Sequence, residues 1–153
     1  MDRNQRAKEI IAHAPIVTLA TISADGQPRS TPVLAAFDEH SNFYWTSFVD
    51  TEHSKNIRTN PVIFISLFDP TVNHLEASGV YVKAHATELS DLSEIAYAAQ
   101  QVYNRKGKES RPVEDFIGDS IKRLYKAVPE QAWASLTEDY EVDPKTSRKE
   151  ITL

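Results

Sequence analysis

The chain has 153 residues, 41% hydrophobic and 25% charged, with four glycines, eight prolines and a formal net charge of −5. Such a balance predicts one domain over residues 1–153 with a real core, and it excludes a low-complexity chain. The acidic balance argues against nucleic-acid and anionic-membrane surfaces, and the absence of cysteine removes disulfides, thiolate catalysis and sulfur-ligated metal.

The N-terminal MDRNQRAKEIIAHAP scatters charge through a segment without an apolar run, so it does not read as a signal peptide, and no stretch reaches transmembrane length. A cytoplasmic protein is expected. Ala7, Ile10, Ile11 and Ala14 recur at helical spacing, which predicts a helix over Arg3 to Ala14 closed by Pro15. Ile16 to Ile22 is β-branched and runs into Ser23-Ala24-Asp25-Gly26, a strand entering a hairpin turn. A second strand is expected from Pro28 or Arg29 to Phe37, a turn over Asp38 to Asn42, and a third strand over Phe43 to Phe48. A helical segment around Ser54-Lys55-Asn56 then ends at Asn60-Pro61.

Val62 to Phe68 (VIFISLF) reads as a central strand buried on both faces. After a polar loop, Asp69 to Ser78, the strand from Val80 to Leu89 puts Val80, Val82, Ala84 and Ala86 on one face and Tyr81, Lys83, His85 and Thr87 on the other. Ser90 or Asp91 can cap a helix over Leu92 to Asn104, Asp91 with Glu94 imitating a capping box. Pro112 suits the first turn of another helix that finishes near Gly118. Ile121 to Val128 fits strand or helix, Pro129 resets the chain before Ala132 to Leu136, Thr137 to Ser147 is acidic loop, and Arg148 to Leu153 alternates as an edge strand. Strands in runs with inserted helices define an α+β fold built on an antiparallel barrel or sandwich.

The stretch from Phe43 to Pro61 combines an aromatic strand, a mouth of hydroxyls and a lysine near a helix start, which suits an anion such as phosphate. With the second hairpin turn centred near His40, Phe37 faces Phe43, Leu34 faces Thr46 and Arg29 falls level with Thr51. Arg29, Thr46, Ser47, Ser54 and Lys55 then converge, and Pro32 marks a break in strand pairing. On spacing alone the same residues also read as ordinary surface. His13, His40, His53, His74 and His85 show no metal-ligand spacing, so no metal site is expected, although His53 borders the mouth. Trp133 and Tyr125 read as core or dimer contacts, and without a GxSxG a hydrolase has no support.

The succession TLATISADGQPRSTPV, FYWTS, HSKNIRTNPVIFISLF and GVYVKAHATELSD resembles the FMN-binding split-barrel family of the pyridoxamine 5′-phosphate oxidase type, from about Ile10 to Asp91 and less closely to the end. That resemblance implies an antiparallel split β-barrel of about six to eight strands with three or four flanking helices. It also implies a homodimer with flavin at the interface. By the same resemblance Arg29, Thr46, Ser47, Ser54 and Lys55 hold the FMN phosphate, Ser30, Thr31 and Pro32 lie along the isoalloxazine ring, and Trp45 stands beside the family's aromatic-threonine pair.

Two positions depart from the vitamin B6 oxidases: Leu34 stands where they carry a lysine for the substrate phosphate, and Gly79 where they carry a glutamine. The B6 substrate is therefore not expected. The expected activity is an FMN-dependent oxidoreductase passing electrons or hydride between a nicotinamide-type donor and a small acceptor. The alternatives on the same fold are an F420-dependent reductase and a flavin- or haem-binding module without turnover. The loops Asp69 to Ser78 and Lys106 to Arg111 are expected to set substrate choice.

Overall fold

The computed structural model describes residues 2–72, 78–142 and 148–153. Its element order is α1 (Arg3–His13), β1 (Ile16–Ile22), β2 (Pro28–Leu34), β3 (Ala36–Phe37), β4 (Phe43–Phe48), α2 (Glu52–Thr59), β5 (Val62–Phe68), β6 (Gly79–Glu88), α3 (Leu92–Arg105), a 3₁₀ turn (Val113–Phe116), β7 (Lys122–Ser135), α4 (Thr137–Val142) and β8 (Lys149–Ile151). Eight strands form one antiparallel sheet in the order β2-β1-β5-β6-β7-β4-β3, with β8 added beside β7. The fold is therefore α+β, a curled antiparallel half-barrel with four α-helices among the described residues.

The curl follows from one short step in the chain. β2 and β3 lie at opposite ends of the strand order, yet only Ala35 separates them. A sheet whose two end strands are neighbours in sequence must roll until its edges meet. Ala35 is buried at this seam and its N–H donates to the carbonyl of Pro15 at 2.9 Å. Expected as one strand, the segment from Pro28 to Phe37 thus serves two partners. Phe37 does face Phe43, as the hairpin register predicts, but Leu34 pairs with Ile16 and Arg29 with Thr21. Arg29 does not pair level with Thr51, because the tight Asp25-Gly26 turn, with Gly26 at φ +81°, gives β1 and β2 a seven-residue ladder.

Inward residues of the roll form the main core, with Ala7, Ile10 and Ile11 of α1 packed into it and Trp45 stacked on Tyr125 at 5.6 Å. Val80, Val82, Ala84 and Ala86 all face this core. A second cluster lies outside the roll, where Ile95, Ala98, Ala99 and Val102 of α3 cover Tyr44 and Leu124. The side chain of Asp91 caps α3 by accepting from the N–H of Glu94 at 3.0 Å.

Four expectations change. Val62–Phe68 alternates instead of burying both faces: Ile63, Ile65 and Leu67 are inside, while Val62 and Phe68 are 41% and 66% exposed. Pro129 does not end a strand, because β7 carries it through a register shift opposite Lys83 and Ala84, where an irregularity tolerates a missing N–H. The helix expected after Pro112 is a single 3₁₀ turn. The loop expected from Thr137 to Ser147 begins as α4, and its part over 143–147 lies outside the described residues, as does 73–77 of the loop expected after Asp69. No helix among the described residues is long and apolar enough to cross a membrane.

Candidate functional site

Where β2 and β4 diverge from the seam they leave a cleft of about 360 Å³, within the usual range of small-molecule sites of about 300–1,000 Å³. Pro32, Val33 and Leu34 of β2 and Phe48 of β4 supply its apolar wall, and Thr46, Ser47, Thr51 and His53 its polar one. β2 is an end strand, so this wall carries free backbone, and Pro32 offers no N–H to a further strand. Phe48 is 52% exposed, an aromatic left in reach of a ligand.

The polar wall is ordered by the start of α2. Thr51 caps the helix, accepting from the N–H of Ser54 at 3.4 Å while its own hydroxyl lies 2.7 Å from that of Ser54. The Ser54 hydroxyl in turn donates to the carbonyl of Phe48 at 2.9 Å. His53 projects into the cleft with Nε2 2.7 Å from Ser47 Oγ and 3.3 Å from Thr51 Oγ1. Burial pushes the imidazole of His53 below its ordinary pKa, which keeps it neutral near pH 7. Thr46 donates its hydroxyl to the carbonyl of Arg123 at 3.1 Å.

Lys106, at the C-terminus of α3, and Lys122, the first residue of β7, complete the lining. Among the described residues no aspartate or glutamate lines the cleft, although acidic residues outnumber Lys and Arg by 22 to 17 in the chain. Neither ammonium has a carboxylate partner among the described residues; Lys106 lies over the ring of Tyr103 at 4.9 Å. Burial, followed by repulsion from Lys122 and Lys108, pulls the pKa of Lys106 down. Among the described residues the cleft is thus a cationic pocket without a carboxylate counter-ion.

Of the residues singled out from sequence, Pro32, Leu34, Thr46, Ser47 and His53 line this cleft. Arg29 and Ser30 are exposed at the start of β2, and Thr31 is half-buried opposite Leu19. Arg29 is brought beside α2 by β1 and not by β4: its partner Thr21 accepts from the side chain of Asn56, next to the exposed Lys55, at 3.0 Å. The side chains of Trp45 and Ser54 are wholly buried, so neither presents a surface to a ligand; Trp45 packs against Tyr125 in the core, and Ser54 shapes the turn. Sequence reasoning left Val33, Phe48, Thr51 and Lys122 out of the site. It had no local signal for Lys122, which lies 16 positions beyond Lys106 and joins it only through the packing of α3 on β7. Among the described residues, no group of His, Asp and Glu is placed to hold a metal ion.

A rolled antiparallel half-barrel with a cleft at its seam is a split-barrel fold. Residues 4–137 match the model of the pyridoxamine 5′-phosphate oxidase family, and the chain belongs to that family. It is 28% identical over 115 residues to a pyridoxine/pyridoxamine 5′-phosphate oxidase of Alcanivorax borkumensis, covering 74% of this chain and 55% of that protein. The chain therefore spans about half the length of the curated relative it matches. Among solved structures it resembles a haem-binding protein from Mycobacterium smegmatis (TM-score 0.73, 17% identity, 93% of this chain and 61% of that one). It also resembles a candidate 5-nitroimidazole antibiotic resistance protein from Bacteroides thetaiotaomicron (TM-score 0.69, 14% identity, 88% and 84%). At these identities the structural likenesses show the fold alone.

Proposed function

We propose that this chain is an FMN-binding flavoprotein that passes electrons between a nicotinamide-type donor and a small acceptor. The observation that carries the reading is the cleft at the seam, cationic, free of carboxylates and walled by apolar residues, in a member of this family. FMN, when bound, supplies the hydride chemistry. The protein's part is to bind and orient it: Ser30 to Pro32 and the Val33 and Phe48 side chains offer a wall for a flat ring, Thr46 and Ser47 offer hydroxyls, and Arg29 beside α2 and Lys55 on it offer charge for a phosphate. Leu34 contributes only apolar surface, so the lysine that B6 oxidases use at this position has no counterpart there.

We infer that two copies associate through the outer face of the sheet. Ile16, Val62 and Phe68 are exposed there, beside the half-buried Phe64–Trp133 stack at 6.0 Å. Light scattering coupled to gel filtration is expected to report twice the chain mass of 17.2 kDa.

Purifying the protein without added cofactor and recording its visible spectrum tests the function. Flavin bands, or uptake of FMN by the colourless protein, are the expected result. A protein that remains colourless and does not quench FMN fluorescence overturns the reading. An intense Soret band would transfer the cleft to haem, and preferential uptake of F420 would make the chain a deazaflavin reductase.

A further inference from the structure

The acidic chain assembles a cleft whose charged lining is entirely basic, and places a neutral imidazole among those cations. We propose that the Ser47–His53 side of the cleft, with Lys106 and Lys122, is an anion subsite that takes up a proton at His53 as it fills. The ligand class is a small molecule bearing a phosphate-like or carboxylate group. The proposal concerns the cleft itself and stands whether or not FMN is the larger ligand.

The geometry accommodates both protonation states of the ring. A hydroxyl both donates and accepts, so Ser47 donates to Nε2 when the imidazole is neutral and accepts from it when the imidazole is charged, across the same 2.7 Å. In the second state the Ser47 proton is released to turn toward the cleft that its side chain lines. Protonating His53 therefore adds a cation and also redirects a hydroxyl donor toward the ligand. The hydroxyl of Thr51, at 3.3 Å from the same nitrogen, is a second acceptor for the charged ring.

The surrounding charges fix the direction of coupling. Lys106 from α3 and Lys122 from β7 line the cleft with His53; Asp50, Glu52 and Lys55, its near neighbours in sequence, are exposed and outside the lining. In the free cleft burial opposes protonation of His53, and burial followed by repulsion from Lys122 and Lys108 opposes that of Lys106, whereas an anion beside these groups favours both. Anion binding and proton uptake must then promote each other, by linkage.

Sulfate is a suitable probe because its charge does not change between pH 5.5 and pH 8. The experiment follows the His53 ring protons of the full-length chain by NMR across that range, with and without saturating sulfate at constant ionic strength. Without sulfate, His53 is expected to titrate below the free-histidine value of about 6.5, and sulfate is expected to raise its midpoint by about one unit. Sulfate affinity should then fall by up to about tenfold as pH rises through this window. His53→Gln, which retains a partner for Ser47, should bind sulfate with no pH dependence, and Lys106→Met with Lys122→Met should weaken sulfate at least about tenfold. A repeat with acetate separates a requirement for a tetrahedral dianion from a general preference for anions. An unchanged His53 midpoint at saturating sulfate, an unchanged pH slope in His53→Gln, or no sulfate binding at pH 5.5 would each overturn the proposal. FMN uptake, read separately by fluorescence, can succeed or fail without altering these outcomes.

Discussion

Two charged regions of this molecule are built on opposite rules. At the end of the roll packed by α1, buried carboxylates are fully matched: Asp139 is 4% exposed and receives both guanidinium nitrogens of Arg3 at 2.6 Å, the ammonium of Lys149 at 3.0 Å and the N–H of Leu136 at 3.2 Å. Asp69, also buried, receives Arg6 at 3.0 Å together with the amide and hydroxyl of Thr71. These clamps tie α1 to α4, β8 and the start of the loop after β5. In the cleft, by contrast, two lysines and an imidazole face one another with no carboxylate among them. Charge that is paired inside the chain stabilises the fold. Charge left without a partner in a cleft is stabilised only when something else supplies one, which is the basis of the ligand proposed for the second region.

The comparison is broken most directly at the clamp. Arg3→Ala removes the two shortest donors to the buried Asp139 carboxylate, leaving Lys149 and the Leu136 N–H, and should lower stability by about 2 kcal/mol, read from urea unfolding at pH 7. A loss below about 0.5 kcal/mol would reduce the clamp to ordinary surface pairing. Next in size is the proposed cofactor: Arg29→Ala or Lys55→Ala should weaken FMN about tenfold or more, close to 1.4 kcal/mol, and leave the thermal midpoint unmoved. Fluorescence titration gives the first quantity and calorimetry the second, and unchanged affinity in both variants would return these residues to the surface.

The pH dependence sharpens the contrast further. Hydrogen bonds from Arg3 hold the Asp139 carboxyl well below the ordinary carboxylate range, and Asp69 is also held low, the Thr71 and Arg6 contacts outweighing the opposing effect of burial. A depressed carboxylate contributes stability that is present above the unfolded value of about 3.9 and is lost as pH falls through the folded one. Unfolding curves between pH 5 and pH 2.5 should therefore steepen in the native protein and flatten in Asp139→Asn. The smallest effect has the opposite sign. Because folding pulls the pKa of the partly exposed Lys106 down, its charge opposes folding at pH 7, so Lys106→Met should leave stability unchanged or raise it by about a few tenths of a kcal/mol. A clear destabilisation in that variant would show that the cleft is held together by its lysine and is not strained by it.

Where each element lies was largely legible in the residues. IVTLATI, the Asp25-Gly26 turn, FYWTSF and the Asp91 cap each state a local preference that the chain obeys, since a strand period, a tight turn and a helix cap are decided by near neighbours. Pro32, Thr46 and Ser47, which the sequence singles out on those elements, line the cleft. The strand after Pro28 was misread because its local pattern is continuous, whereas its pairing changes partner at Ala35. The burial of Trp45 and Ser54 has a related reason: a side chain's face depends on how the sheet rolls, and no spacing along one strand records that.

By itself, then, the sequence determined the α+β elements, their turns and the family to which they belong. Only the tertiary structure decided that the two end strands meet at Ala35, that a cleft opens between them, and that Lys106 and Lys122 close it around His53. The physical reason is range. Backbone preferences and hydrophobic period act over a few residues and can be read along the chain, whereas the curl of a sheet and the balance of charge in a cleft are sums over strands far apart in sequence.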